Sequence, residues 1–254
     1  LTIGKTSGAT VDVEEQVIVE NNAVLEIYSD NFVAGSLVVD GKMLSHGTGV
    51  TIDNGDVEIA GNIYFNGETA NTGLTIDVDD VDTWTLKTTQ DLSSISVGAI
   101  AIADDKKLNV DSAGALTVGG VIDNAGDISL TAADDVTVTG KIQNTAALNV
   151  SGANVSLNGI DNSGDVQVVV AANNGNAIVG DVNNSGSALE FVATDKIVAG
   201  AVSNSVDGVL AFDSDLLEAQ SIIANGNVGS QINVNADVVA VSGNVRVAGN
   251  LNQG

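Results

Sequence analysis

The sequence predicts an all-β fold, a right-handed parallel β-helix whose coils are about 20 residues long, and three observations lead to it. Short aliphatic strands with a period of two recur along the chain. The 254 residues include 29 glycines and no proline, and aromatic residues make up only 3%. Proline removes a backbone donor that a ladder of strands needs, whereas Gly, Asn and Asp form turns at low cost. Few rings and many Val, Ile, Leu and Ala residues suit thin, repeated core layers.

The repeat is clearest from Leu108 onward. One coil reads Leu148-Asn-Val150, a turn, Val155-Ser-Leu157, and then Ile160-Asp-Asn162. Within each strand, alternate aliphatic residues share one face. Three short strands and three turns therefore close one coil, and stacked coils pair their equivalent strands in parallel. Left-handed β-helices repeat every six residues, and no such pattern is present, so right-handed winding is favoured.

Asparagine recurs at one position of successive coils, at intervals of roughly 20 residues. The members of this row are Asn124, Asn144, Asn162, Asn184 and Asn204, with Asn225 as the next residue at that spacing. A side-chain amide both donates and accepts, so amides stacked at one corner can form a hydrogen-bonded ladder. The sequence therefore predicts a structural asparagine ladder rather than a binding site.

The domain organisation is predicted to be a single β-helix over residues 1–254, because no linker or second compositional block interrupts it. Residues 108–254 form the regular coils, and residues 1–107 are less regular. The stretch 75–107 is longer than one coil and indicates an insertion. A weak helix signal falls at residues 213–224. Because residue 1 is Leu, the chain is expected to be processed or part of a longer one.

The charge balance excludes several classes of partner. The chain has 8 Lys and Arg residues against 33 Asp and Glu residues, a net charge of −25. Binding to nucleic acid requires clustered cations, so it is not expected. No apolar run approaches the roughly 18 residues of a membrane span, so membrane insertion is not expected either. Cysteine is absent, so stability must come from burial and hydrogen bonding.

Calcium is the only ligand that a local motif suggests. Asp77, Asp79, Asp80 and Asp82 lie close together, and carboxylate oxygens suit Ca²⁺. The stretch matches neither the EF-hand loop nor the calcium-binding nonapeptide repeat. Its alternative interpretation is the solvated face of a strand, and no other cofactor is predicted.

The sequence gives little support for a catalytic site. The one histidine, His46, lies in a glycine-rich turn without a nucleophile elbow beside it. Some β-helices degrade polysaccharides with paired carboxylates, but such sites also use cations and aromatic platforms. Cations are scarce here, and the platform candidates are Trp84, Tyr28 and Tyr64, apart from the four phenylalanines. The chain is therefore predicted not to be an enzyme.

The segment from Leu108 to Asn204, with its aliphatic-x-aliphatic strands closed by Gly-x-Ile-x-Asn, resembles filamentous-haemagglutinin-like exoproteins and autotransporter passenger domains. The resemblance implies a secreted protein at a prokaryotic cell surface, acting in adhesion, biofilm matrix, or filament and layer formation. The expected function is an extracellular structural or adhesive scaffold. Its expected partners are further copies joined end to end, a continuation of a longer chain, or surface glycans. The alternative is a β-helix that binds or degrades polysaccharide, as tailspikes and lyases do.

Overall fold

The structure, a computed structural model, describes residues 1–3, 10–29, 31–59, 62–65, 73–76, 83–165, 167–205, 208–225, 230–247 and 250–253. Every regular element in these ranges is a β-strand. The strands stack in parallel as a β-solenoid of about ten turns with a spacing of about 20 residues, so the predicted fold class is confirmed. The chain divides into two compact units, Leu1–Asp134 and Asp135–Gly254. The single domain expected from the sequence stays a prediction.

The first unit consists of three parallel sheets, here named A, B and C in the order in which a coil passes through them. Its strands are β1 (Thr2–Ile3), β2 (Thr10–Val19), β3 (Val24–Ile27), β4 (Asn31–Val39), β5 (Lys42–Ser45), β6 (Gly49–Ile52), β7 (Val57–Ile59), β8 (Asn62–Phe65), β9 (Gly73–Ile76), β10 (Thr83–Thr88), β11 (Ile95–Val97), β12 (Ile100–Ile102), β13 (Lys107–Ser112), β14 (Leu116–Val118), β15 (Ile122–Asn124) and β16 (Asp127–Ala132). Sheet A takes β2, β4, β6, β10, β13 and β16 in spatial order. Sheet B takes the second halves of β2 and β4, then β7, β11 and β14.

Sheet C of this unit departs from chain order at one strand. Its spatial order is β1, β3, β5, β9, β8, β12 and β15. Strand β9 follows β8 in the chain but lies between β5 and β8 in the sheet. The neighbouring sheets have no strand at this level, because β6 pairs directly with β10 and β7 with β11. Strands β10, β11 and β12 then form an ordinary coil, so the irregularity of this region is located at β9.

The second unit repeats the same three-sheet plan with longer strands. Its strands are β17 (Val136–Val138), β18 (Ile142–Asn144), β19 (Leu148–Gly152), β20 (Val155–Asn162), β21 (Gln167–Ala172), β22 (Asn176–Asn184), β23 (Ala188–Ala193), β24 (Lys196–Asn204), β25 (Val209–Asp213), β26 (Leu216–Ala224), β27 (Gln231–Asn235), β28 (Val238–Val241), β29 (Val245–Val247) and β30 (Asn250–Gln253). Sheet A takes β19, β21, β23, β25, β27 and β30. Strands β20, β22, β24 and β26 each bend once, so that their first halves belong to sheet B with β17 and β28, and their second halves to sheet C with β18 and β29.

The core of each unit is a column of aliphatic side chains. Because the side-chain period of a strand is two, alternate residues face inward, as in β13 and β16, where buried residues alternate with half-buried or exposed ones. The aromatic side chains join this column in places. Phe191 and Phe212 lie on adjacent rungs of sheet A and stack with ring centroids 5.4 Å apart. One coil has no core of its own, so burial comes from stacking on its neighbours.

The helix signal at residues 213–224 was wrong. The segment forms the end of β25, a turn, and strand β26. In β26, Leu217, Ala219, Ile222 and Ala224 face inward and are buried, in register with β24. Tertiary pairing thus overrides the helix propensity of Leu, Glu and Ala, which is a weak preference in any sequence.

Candidate functional site

The predicted calcium ligands Asp77, Asp79, Asp80 and Asp82 lie outside the described residues. Within the described ranges, no group of three or more His, Cys, Asp or Glu side chains is placed to hold a metal ion. The calcium site therefore stays a prediction.

A row of buried asparagines follows sheet C of the second unit. The Nδ2 atom of Asn144 donates to Oδ1 of Asn162, Asn162 donates to Asn184, and Asn184 donates to Asn204, each at 2.8 Å. All four side chains are at most 1% exposed. Each amide therefore has a hydrogen-bond partner on the next rung, as a buried polar group requires. Asn124, in the first unit, is also fully buried.

The row ends at a serine rather than at a further asparagine. Nδ2 of Asn204 donates to Oγ of Ser230 at 3.1 Å and to the carbonyl oxygens of Gly208 and Gln231. The next position of sheet C is Ala224, which pairs with Asn204. Asn225 is exposed, one residue past the row, so its inclusion at the 20-residue spacing was wrong. A spacing that varies by one residue reverses the face on which a side chain lies.

The turn after the ladder depends on glycine. A Cβ atom at Gly186 would overlap the carbonyl oxygen of Gly164 and would also lie 2.8 Å from Nδ2 of Asn162. At Gly208, a Cβ atom would overlap the carbonyl oxygen of Gly186. The glycines therefore let successive rungs approach closely where the asparagine amides meet.

His46 is part of a ring stack. Its imidazole lies on the ring of Tyr28, with centroids 4.1 Å apart and planes 4° from parallel. The two residues follow β5 and β3, which pair in sheet C, so they occupy one corner on adjacent rungs. Offset stacking of such rings is a packing interaction.

Trp84 cannot serve as a sugar platform, contrary to its place among the aromatic candidates. The side chain faces the core from β10 and is fully buried. Its Nε1 atom donates to Oγ of Ser45, also fully buried, at 3.1 Å. The alternation of Trp84, Leu86 and Thr88, all buried in one strand, was the signal in the sequence that the indole faces inward. The side chain of Tyr64 lies outside the described residues.

Asp161 joins two neighbours on the outward face of sheet C in the second unit. Nζ of Lys141 lies 2.6 Å from its Oδ2, and Nδ2 of Asn183 donates to its Oδ1 at 2.7 Å. Partial burial acts to raise the pKa of Asp161, but the hydrogen bonds from Lys141 and Asn183 and the charge of Lys141 outweigh it and lower the pKa below its ordinary value. The carboxylate therefore stays ionised at neutral pH.

A groove of about 1010 Å³ follows the bend between sheets B and C of the second unit. One row of its lining consists of outward side chains in register on successive rungs, namely Thr137, Ser156, Ile178, Val198, Glu218 and Ala240. A second row, at the bend itself, consists of Thr139, Asn158, Gly180, Gly200, Gln220 and Ser242. Sequence reasoning missed this groove, because its residues are dispersed one rung apart and match no contiguous motif.

Comparison with known proteins gives no relative. No protein-family model matches the chain, and neither the curated proteins nor the solved structures include a significant match. In the described ranges, no helix has the length and apolar character needed to cross a bilayer.

Proposed function

We propose that the chain is an extracellular structural or adhesive protein of a prokaryotic cell surface, and that its β-helical units act as a rigid scaffold rather than as an enzyme. The observation that carries the proposal is the buried asparagine ladder, in which Asn144, Asn162, Asn184 and Asn204 link successive rungs by side-chain hydrogen bonds. Buried polar groups placed for rung-to-rung bonding contribute to stacking and specify its register. A protein that bears load or presents a surface needs this kind of stability.

The type of scaffold is supported by sequence resemblance. The strands from Leu108 to Asn204 resemble those of filamentous-haemagglutinin-like exoproteins and autotransporter passenger domains. The parallel β-helix of the structure is the fold that this resemblance implies. The high acidic content, with a net charge of −25, favours a soluble outer surface that resists nonspecific association.

The last rung of the second unit supports a contact with a further rung. Val245, which pairs with the buried residue Ile222, is 52% exposed, and Val239 and Val241, which pair with the buried residues Leu217 and Ala219, are only half-buried. Exposed strand edges and core residues of this kind invite pairing. We propose that another copy, joined end to end, or a continuation of a longer chain covers them. A heterologous contact that does not close produces a filament.

Negative-stain microscopy and sedimentation velocity test this assembly, at increasing protein concentration and with and without Ca²⁺. Filaments or higher oligomers are expected. Val239→Lys, on the inward face of β28, should shorten them, whereas Ala240→Lys, on the exposed face of the same strand, should leave them unchanged. Particles that remain single at high concentration with Ca²⁺ would contradict self-assembly and leave continuation of the chain as the remaining form of the proposal. A filament that Val239→Lys does not affect would show that another surface makes the contact.

A further inference from the structure

We infer that the groove between sheets B and C of the second unit binds an uncharged, linear glycan, which lies along the stack of rungs. This binding goes beyond scaffolding and does not require assembly.

The groove carries little net charge, although the protein is acidic. Of the residues that line it, the only one with a formal charge is Glu218. Oε2 of Glu218 lies 2.6 Å from Nζ of Lys196, so the acid is paired. The whole chain carries a net charge of −25. A cationic ligand would gain little from this groove compared with other parts of the surface, and an anionic ligand would have to break the ion pair of Lys196 with Glu218 beside the carboxylate of Asp181. The electrostatics of the groove therefore favour a neutral ligand over a charged one.

Polar groups lie toward both ends of the groove, and apolar groups form its centre. Hydroxyl and amide groups lie at one end, from Thr137, Thr139, Ser156 and Asn158, and at the other end from Gln220 and Ser242. Ile178, which is 51% exposed, and Val198 form an apolar centre between them. A pyranose ring has apolar C–H faces and a rim of hydroxyl groups, so it uses both kinds of surface. Binding sites for small ligands combine apolar walls with a few polar groups in this way.

The glycines at the bend leave space beside this centre. Gly180 and Gly200 lie next to Val179 and Ala199 and have no side chain to fill the groove. A Cβ atom at Gly180 would overlap the carbonyl oxygen of Asn158, and one at Gly200 would lie 2.6 Å from Oδ1 of Asp181. The close approach of the rungs therefore requires glycine at this point, and the concave surface is a result of the fold.

The spacing of the rungs favours a polymer over a single small molecule. Equivalent positions of successive strands repeat along the groove at the strand separation, roughly 4.8 Å. One sugar residue advances a linear glycan by nearly that distance, so successive rings can meet equivalent positions on successive rungs. An extended peptide advances by roughly 3.3 Å per residue and loses this register. The match favours a glycan.

The test is titration of the ¹⁵N-labelled full chain with neutral hexasaccharides: a β-1,4-glucan, an α-1,4-glucan, a β-1,3-glucan and a β-1,4-xylan. A hexagalacturonate and a hexalysine peptide are the charged controls. At least one neutral hexasaccharide should give saturable amide shifts that centre on Ile178 and Val198 and do not depend on salt, because no charge is involved. Absence of saturable shifts with every neutral probe, or shifts centred elsewhere, would overturn the inference. The inference would also be overturned if a charged control bound in the groove more tightly than every neutral hexasaccharide and in a salt-sensitive way.

Matched variants locate the site. Ser156→Trp fills the groove from an outward position of sheet B, and Ser203→Trp places the same ring on the outward face of sheet C. We expect Ser156→Trp to weaken binding by about tenfold or more and Ser203→Trp to leave it unchanged. Asn158→Ala and Gln220→Ala remove exposed amides without adding bulk, so they test the groove even if Ser156→Trp does not fold. Unchanged affinity in both alanine variants and in a folded Ser156→Trp would refute the assignment of the groove.

Discussion

Replacing Asn162 by Ala tests whether the asparagine ladder holds the rungs of the second unit together. Asn162 is 1% exposed, accepts a hydrogen bond from Asn144 and donates one to Asn184, both at 2.8 Å. In Asn162→Ala, Oδ1 of Asn184 loses the donor that Asn162 supplies, whereas Nδ2 of Asn144 still donates to the carbonyl oxygen of Ala146, at 2.6 Å. A buried polar group that loses its partner costs about 1–3 kcal/mol, so the loss at Asn184 lowers the free energy of unfolding by about 1–3 kcal/mol.

The control is Asn183→Ala, one residue before the ladder residue of the next rung. Asn183 is exposed and bonds to Asp161 on the outward face. Its replacement should change the free energy of unfolding by no more than about 0.5 kcal/mol. Urea unfolding followed by far-ultraviolet circular dichroism gives both values, and amide hydrogen exchange around Ile160 and Val182 shows that the loss is local. Equal midpoints for the two variants would refute the reasoning.

A second substitution tests the direction of the ladder. Asn162→Asp still accepts from Asn144 but, when ionised, cannot donate to Oδ1 of Asn184. Two acceptors then face each other in the core, so at neutral pH we expect a larger loss of stability than in Asn162→Ala. In acid the protonated carboxyl regains a donor, and the difference from Asn162→Ala should shrink. An Asn162→Asp variant as stable as the parent protein at neutral pH would show that the donors do not run in this direction.

Three further predictions concern other parts of the chain. Gly186→Ala should lower the free energy of unfolding by about 2 kcal/mol or more, because its Cβ would overlap a neighbouring carbonyl oxygen. The control is Gly119→Ala, whose Cβ would meet its nearest neighbour at 3.6 Å. In urea unfolding, this control should be neutral or stabilising by about 0.4–1 kcal/mol. The lowered pKa of Asp161 stabilises the fold above the unfolded-state pKa, and this stabilisation is lost as the pH falls through the folded-state pKa. Asp161→Asn should therefore be less stable than the parent at neutral pH and equal to it in strong acid, and a difference that persists in acid would contradict the assignment. The fluorescence of buried Trp84 should be emitted at short wavelength and should resist acrylamide quenching until the first unit unfolds. Trp84→Phe leaves Oγ of Ser45 without the donor that the indole supplies. We expect it to lower the free energy of unfolding of that unit by about 1–3 kcal/mol, measured by urea unfolding followed by hydrogen exchange.

The fold could be predicted from the sequence because one rule governs nearly every strand. Each inward aliphatic residue must align with its equivalent on the next rung. The sequence therefore shows both the period of two within a strand and the period of about 20 residues between coils. The same rule places Asn144, Asn162, Asn184 and Asn204 on one row. It does not apply to Asn225, because β26 keeps the register of β24, in which Ala224 pairs with Asn204 and takes the inward position.

Other features depend on contacts that no local pattern encodes. Strand β9 pairs with β5 and β8, and its Leu-Thr-Ile pattern is the same aliphatic-x-aliphatic pattern that many other strands have, so the sequence does not indicate its unusual place in the sheet. The stack of Tyr28 on His46 joins two rungs through the corner that follows sheet C. The groove forms only when short segments of successive rungs lie side by side. In each case the determinant is the register between coils, which a single chain position does not reveal.

The hydrogen bonds of the asparagine row all point one way. Each Nδ2 atom donates toward the rung that comes later in the chain, from Asn144 through Asn204 to Ser230. The row therefore has a direction, with acceptor oxygens facing the earlier rungs and donor hydrogens facing the later ones. The row closes inside the second unit, where Ala224 follows Asn204 in sheet C, so the order of the rungs fixes its direction. If copies join end to end as proposed, every row in the fibre would point the same way, the two tips would differ chemically, and subunits should add at unequal rates at the two tips.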